Sequence, residues 1–226
     1  MAFNAAELAL AIEREEIFPA FQPIVELRNG QLVGFEVLAR WLDPVAGPIG
    51  PAEFIPVAES NGLIDKLIAV ILEKSWLLAK RAGASRELSV NISPIQLQDF
   101  GLPDRIAEAA SRSGFPLSDL VIEVTESALM EDLARAFAVS TELKRFGCRL
   151  ALDDFGTGYS SLRHLLALPF DILKVDKSFL QSMASDRSCR KIVASVIGLG
   201  QSLNCFTVAE GVETREQREM LVHMGC

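Results

Sequence analysis

Strand-like and helix-like segments alternate along this chain, and the alternation restricts the fold more than any other feature. Seven short apolar runs have strand character, at 20–27, 31–40, 87–92, 120–125, 149–152, 170–175 and 205–209. Apolar residues at helical spacing fill most of the intervening sequence, at 5–16, 52–59, 63–81, 103–113, 133–146, 160–166, 188–203 and 215–224. This pattern predicts a mainly parallel sheet with helices outside it.

The first two runs depart from that pattern. Only the turn Arg28-Asn29-Gly30 separates them, and so short a link favours an antiparallel pair, because parallel strands need a long crossover. A closed barrel needs eight strands, and the sequence ends at Cys226, where an eighth would begin. We therefore expect one α/β domain over residues 1–226, a TIM-like (β/α)8 barrel with an antiparallel first strand, truncated before its eighth strand.

Six of the seven runs end in a carboxylate, a carboxamide or a lysine. These residues are Glu36, Asn91, Glu123, Asp153 with Asp154, Lys174 with Asp176, and Glu210. The carboxyl ends of barrel strands open onto one face, so these side chains are expected to meet in one site. Like charges packed together cannot all ionise unaided, and this predicts bound metal.

Oxygen donors without histidine favour Mg²⁺ or Mn²⁺. The two histidines, His164 and His223, lie in predicted helices. Adjacent aspartates, Asp153 and Asp154, suit two nearby ions of the kind that support phosphoryl transfer. A salt bridge or a helix cap explains any one of these acids equally well, but explains the whole set poorly.

Basic residues and a loop add to this prediction. Lys174 lies two residues before Asp176 and shares its strand face, where it either pairs with that acid or orients a water. Arg40 lies four residues after Glu36 and either clamps a phosphate or is a surface arginine. The glycine-bearing segment 154–161 leads into a helix and suits an anion cradle or a mobile flap.

Composition excludes several other functions. The net charge of -8 argues against an open face for a nucleic-acid polymer. The four cysteines are irregularly spaced, which indicates reduced thiols rather than a zinc site. Glutamates open the chain where a signal peptide would be basic, and the longest apolar run is too short for a bilayer. We expect a cytoplasmic domain without direct membrane contact, although a longer parent protein could be anchored.

An ordered set of motifs resembles the EAL-domain family of cyclic dimeric GMP phosphodiesterases. The signature appears as Glu36-Val37-Leu38, with valine where alanine is common, and Val37 should point away from the site. The matching stretches cover nearly the whole chain: 21–25, 34–41, 54–56, 58–59, 90–93, 123–126, 153–161, 174–176 and 209–213. The family also places a glutamine in the eighth strand, which this sequence does not reach, so the resemblance implies a site that lacks one wall and a weakened activity for this fragment.

The resemblance implies roles for particular residues. It implies metal ligation by Glu36, Asn91, Glu123, Asp153, Asp154 and Glu210. Lys174 would contact the attacking water. The catalytic residues would be Glu36, Asp153, Lys174 and Glu210. The substrate side would comprise Gln22, Leu38, Arg40 and Asp176. Glu126, and more weakly Glu213, would support the loop after Asp153, which in this family couples a dimer interface to the metal site.

The implied activity is hydrolysis of cyclic di-GMP to linear pGpG with two Mg²⁺ or Mn²⁺ ions. A sensor that binds the dinucleotide without cleaving it is the alternative, and an unrelated metal-dependent barrel, enolising or aldol-type, is a third. The resemblance also implies a homodimer and an upstream sensory or GGDEF domain in the parent protein.

Overall fold

The computed structural model describes residues 3–81, 86–130, 132–156 and 162–226. Within these ranges it contains eight strands: β1 Ile17–Val25, β2 Leu32–Asp43, β3 Gly47–Ile49, β4 Glu87–Asn91, β5 Leu120–Thr125, β6 Arg149–Phe155, β7 Ile172–Val175 and β8 Phe206–Ala209. It contains ten α-helices: α1 Ala5–Glu13, α2 Pro51–Ser60, α3 Ile64–Arg81, α4 Pro94–Leu97, α5 Leu102–Ser113, α6 Leu133–Arg145, α7 Leu162–Ala167, α8 Lys177–Ser182, α9 Arg187–Ser202 and α10 Arg215–Met224. Short 3-10 helices lie at Leu117–Asp119 and Glu126–Met130.

The strands form one mixed sheet in the order β1-β2-β4-β5-β6-β7-β8, with β3 paired to β2 outside this path. The pair β1–β2 is antiparallel, and each later pair along the path is parallel. This confirms the predicted α/β architecture with its antiparallel first strand. Among the described residues no strand pairing joins β1 to β8, so the sheet is a curled, open barrel.

Contacts at the starts of the parallel strands bring the two ends of the sheet together. The turn between β1 and β2 has Gly30 in the left-handed region, at φ 73°. The Gln31 N–H donates a hydrogen bond to Asn29 Oδ1 in the same turn. Arg218 on α10 donates to the carbonyl oxygens of Leu27 and Arg28, at 2.6 and 2.9 Å. The hairpin at one edge of the sheet is therefore tied to the helix that follows β8.

The main hydrophobic core lies between the outer face of the sheet and the helices. Trp41 and Val37 from β2 are buried in it, together with Phe54 from α2 and Trp76 from α3. Strand residues alternate between the two faces, so a core-facing Val37 directs Glu36 to the inner face. The expected orientation of Val37 agrees with its place in this core.

The inner face carries a small apolar cluster of its own, formed by Val121, Ala151, Ile172 and Val208. Glu123, Asp153, Lys174 and Glu210 follow these four residues by two positions along the same strands. They therefore share the inner face but lie nearer the carboxyl ends of the strands. The fold therefore places these four polar side chains next to the apolar cluster, on the side of the strand ends.

Several boundaries differ from the sequence prediction. β3 lies in a stretch expected to be a loop, and α4 and α8 were not expected. Strand β6 continues to Phe155 rather than ending at Leu152, so Asp153 and Asp154 belong to the strand itself. Within the described residues no helix is long and apolar enough to cross a bilayer.

Candidate active site

A buried lysine lies at the centre of the polar inner face. The Lys174 ammonium is 2.5 Å from Glu210, 2.6 Å from Glu123, 3.3 Å from Asp153 and 3.5 Å from Glu36. These five residues come from β2, β5, β6, β7 and the residue after β8, and we call them the acidic cluster. The structure thus brings five predicted site residues into contact.

Two charged members of the acidic cluster are almost completely buried. Lys174 is only 2% exposed and Glu123 only 1%. Burial alone would lower the pKa of Lys174, but the surrounding carboxylates, Glu123 foremost, raise it well above its ordinary value. The ammonium therefore stays charged at neutral pH.

Burial acts in the opposite sense on Glu123 and Glu210, because their charged forms are anionic. Burial raises the pKa of Glu123 to about 7, against the attraction of Lys174, and raises that of Glu210 as well. The Lys174 ammonium, 2.6 Å from Glu123, favours the ionised form, so this carboxyl group gives up its proton as the pH rises toward 7. One ammonium facing four carboxylates leaves an excess of negative charge that a divalent cation would relieve.

Two polar residues of β4 hold these acids from the side. Asn91 Nδ2 donates to Glu36 Oε1 at 3.0 Å, which adds the sixth predicted site residue to the cluster's surroundings. The Ser89 hydroxyl donates to Glu123 Oε1 in a short hydrogen bond. Sequence reasoning missed Ser89, although its position two residues before Asn91 puts it on the same strand face.

The aspartates at the end of β6 take different environments. Asp153 Oδ1 accepts the backbone N–H of Asp154 at 2.9 Å. Asp154 has φ 54°, a left-handed conformation that an L-residue adopts at some energetic cost. Burial, with Asp153 and Asp176 nearby, raises the pKa of Asp154. Its carboxyl group lies beside the cluster, where the charge of Lys174 partly opposes this increase.

Asp176 has a structural partner of its own. It is the N-cap of α8, where its side chain accepts the Ser178 N–H at 2.9 Å and the Ser178 hydroxyl. Burial opposes its ionisation, but the hydrogen bonds from Ser178 lower the pKa of Asp176 overall. Its predicted substrate-side role is therefore additional to a helix cap.

The predicted substrate residues line the antiparallel pair. Gln22 on β1 lies opposite Glu36 and is exposed, and Leu38 and Arg40 continue the inner face of β2. Arg40 Nη1 donates to the Ala39 carbonyl oxygen at 2.9 Å. Among the residues that the structure describes, no carboxylate forms an ion pair with Arg40, so its charge is available to an anion.

The two predicted loop-support residues differ from each other. Glu126 begins the 3-10 helix after β5 and is 6% exposed, and its Oε2 has no hydrogen-bond partner among the described residues. Glu213 is exposed, outside the acidic cluster, and its backbone N–H donates to Gln217. The loop residues 157–161 lie outside the described residues, so the predicted support of that loop stays a prediction.

The donor set fits a hard divalent cation. Carboxylates and one carboxamide converge on one point, and His223 lies on α10, away from these strand ends. In the described ranges no three acidic, histidine or cysteine side chains have the arrangement of a ready-formed metal centre. The carboxylates are instead gathered by Lys174, so a cation would have to share them with the ammonium.

Comparisons with known proteins agree with this geometry. The sequence model described as "EAL domain" matches residues 5–226. The chain is 38% identical over 226 residues to "Bifunctional diguanylate cyclase/cyclic di-GMP phosphodiesterase MucR" of Pseudomonas aeruginosa, covering 97% of this chain and 33% of MucR. It is 36% identical over 227 residues to "Cyclic di-GMP phosphodiesterase RocR" of the same organism, covering 99% of this chain and 58% of RocR.

A solved structure shares the fold. "PaMucR Phosphodiesterase, c-di-GMP complex" superposes with a TM-score of 0.90 at 38% identity, covering 98% of this chain and 91% of that one. The chain thus spans about a third of the length of MucR and over half that of RocR.

Proposed function

Because the chain belongs to the EAL domain family, we propose that it is a metal-dependent phosphodiesterase that hydrolyses cyclic di-GMP to linear pGpG. The acidic cluster is the observation that carries this proposal. A buried excess of carboxylates around one ammonium is unfavourable in an isolated protein and suits a site for divalent cations.

The relatives support the choice of substrate. MucR and RocR are both described by name as cyclic di-GMP phosphodiesterases, and the MucR structure is described as a complex with c-di-GMP. The free guanidinium of Arg40 and the exposed amide of Gln22 border the acidic cluster and suit a phosphate and a ribose or base edge. Leu38, between Glu36 and Arg40, offers an apolar contact to a base.

The proposed cation ligands are Glu36, Asn91, Glu123, Asp153, Asp154 and Glu210. Two bound Mg²⁺ or Mn²⁺ ions would activate a water and stabilise charge on the attacking and leaving oxygens of the phosphodiester. Burial, Asp153 and Asp176 raise the pKa of Asp154, so a neighbouring cation would favour its carboxylate form.

Lys174 has the central role among the chain's own groups. Its ammonium donates to carboxylates from three strands and to Glu210, so it orients them and supplies positive charge beside the attacking water. In the proposed reaction the water oxygen bonds to phosphorus and the P–O bond to one ribose breaks. The water proton leaves through the acidic cluster, and the departing ribose oxygen is protonated.

The test is a cleavage assay on the purified protein. Cyclic di-GMP is incubated with Mg²⁺ or Mn²⁺, and chromatography with mass spectrometry detects linear pGpG. We expect turnover that EDTA abolishes and that Glu36→Ala removes, whereas the exposed Glu219→Ala serves as the matched control and retains it. Wild-type turnover by Glu36→Ala would refute the ligand assignment.

The same assay separates the enzyme from a sensor. A protein that binds cyclic di-GMP tightly but forms no linear product with either cation would be a binding module.

For the parent protein, we propose that this domain is cytoplasmic, pairs with a second copy and is joined to a sensory or GGDEF domain. MucR and DosP of Escherichia coli are both much longer than the matched region, which supports additional domains.

A further inference from the structure

Each of the two carboxylate oxygens of Glu123 accepts a hydrogen bond from a buried side chain. Lys174 Nζ contacts its Oε2 at 2.6 Å, and the Ser89 hydroxyl contacts its Oε1. Both partners are buried, Ser89 being only 3% exposed. Within the described residues, Ser89 is the neutral donor to this carboxylate.

The position of Ser89 follows from strand register. On the inner face of β4, Ser89 lies opposite Glu36 of β2 and Val121 of β5, and Asn91 lies opposite Glu123. Ser89 therefore lies one inner-face position below Glu123, toward the apolar layer. From there its hydroxyl reaches the lower carboxylate oxygen and leaves the upper one toward Lys174.

We propose that Ser89 is a positioning residue that sets the rotation of the Glu123 carboxylate toward the cation site. A carboxylate rotates broadly about its last side-chain bond, and one hydrogen bond to Oε1 selects the rotation that aims Oε2 at the centre of the cluster. Hydrogen-bonded partners of metal ligands commonly change metal affinity 10–100-fold when removed. This inference rests on the proposed function, because it assigns Ser89 a role toward the same cations.

A purely structural serine is the competing explanation, and the chain offers a matched control. Ser140 on α6 is fully buried, and within the described part of the chain its hydroxyl has no hydrogen-bond partner. Ser140→Ala removes the same atom from an equally buried site without touching a carboxylate. Ser89→Cys keeps the shape of the side chain, with a somewhat larger sulfur in place of oxygen, and replaces a strong donor with a weak one.

The experiment is calorimetric titration of the full chain with Mn²⁺, for wild type, Ser89→Ala, Ser89→Cys and Ser140→Ala. We expect both Ser89 variants to bind Mn²⁺ at least about 10-fold more weakly, and Ser140→Ala to bind as wild type does. The Mn²⁺ concentration that half-saturates cleavage should rise by the same factor, while KM for cyclic di-GMP at saturating Mn²⁺ stays constant. Thermal melting of the cation-free proteins checks folding, and Ser89→Cys decides the test if Ser89→Ala unfolds.

Two results would overturn the proposal. Wild-type affinity in both Ser89 variants removes the role altogether, and wild-type affinity in Ser89→Cys alone assigns the effect to packing. If the wild-type protein itself binds no Mn²⁺, the proposed function fails together with this inference. Normal binding by wild type and by the Ser89 variants overturns the inference alone.

Discussion

Two lysine sites in this molecule show what separates a structural ion pair from a functional one. In the described ranges Lys144 on α6 forms an ion pair with one acid, Asp171, at 2.5 Å, near the start of β7. Asp171 Oδ2 also accepts the Leu150 N–H at 2.8 Å. Lys174 meets four carboxylates near the carboxyl ends of the strands.

The charge balance of the two sites differs, and so does their burial. The pair of Lys144 and Asp171 is neutral and partly exposed, with side-chain exposures of 31% and 26%. The acidic cluster has four carboxyl groups around one lysine side chain that is 3% exposed, so negative charge is in excess. The neutral pair needs no further charge, whereas the unbalanced buried cluster needs a cation that the chain does not supply.

The largest expected effect comes from neutralising one acid of the cluster. Asp153→Asn keeps the size of the side chain but removes a charge that a cation would need. We expect cleavage of cyclic di-GMP to fall on the order of 10³-fold. The melting temperature of the cation-free protein should hold or rise, because repulsion among the carboxylates decreases.

Asp171→Asn is the same chemical change at the neutral pair, and its effects on cleavage and on stability should be the opposite of those of Asp153→Asn. It should leave cleavage near the wild-type rate and lower the free energy of unfolding by about 2 kcal/mol. Urea unfolding and initial-rate assays on both variants test the comparison. It breaks if Asp153→Asn is destabilised like Asp171→Asn while still cleaving normally.

Replacing the cation should have the next largest effect. Ca²⁺ accepts loose coordination of variable number, so it should support binding of cyclic di-GMP but position the attacking water poorly. We expect product formation with Ca²⁺ to fall at least about 100-fold below that with Mn²⁺, at similar affinity for the dinucleotide. Rapid turnover with Ca²⁺ as the sole divalent ion would contradict this expectation.

The smallest expected effect is on the pH dependence of stability. Burial raises the pKa of Glu123 from 4.5 to about 7, so the folded, cation-free chain retains a proton that the unfolded chain releases. That contribution to stability is present in full below pH 4.5 and is lost as the pH rises toward 7. Each pKa unit corresponds to about 1.4 kcal/mol, so the loss should be about 3 kcal/mol at most.

Glu123→Gln isolates this contribution, because every other titrating group is kept. Urea unfolding at pH 5 and pH 7 in EDTA should show wild type losing stability relative to Glu123→Gln as the pH rises. Added Mn²⁺ should reverse the trend in wild type alone. A difference between the two proteins that does not change with pH would speak against a buried, cation-free carboxylate.

Much of the fold was predictable because its signals are local. The short link at Gly30 indicated the antiparallel pair, and polar residues at strand ends indicated one shared face, where Glu36 and Glu123 indeed meet Lys174. Periodicity was less informative for short elements. β3 has three residues including Pro48, and α4 has four, too few to show a period.

The parts of the site that sequence did not reveal depend on distances between strands. Nothing local indicates that Lys174 would sit centrally among four acids, because that follows from the curl of the sheet. The only sequence signal for Ser89 is that it lies two residues before Asn91, on the same strand face. Its contact with Glu123 depends on the register of β4 and β5. The cap formed by Asp176 was likewise hidden, since α8 has only six residues.

The most direct measurement is anomalous X-ray scattering from crystals of this chain soaked with Mn²⁺ and cyclic di-GMP. Two peaks should appear among Glu36, Asn91, Glu123, Asp153, Asp154 and Glu210, with Lys174 moved from the centre of the carboxylates toward the scissile phosphate. A map without peaks at saturating Mn²⁺, with Lys174 still in contact with all four carboxylates, would show that the ammonium alone completes the site.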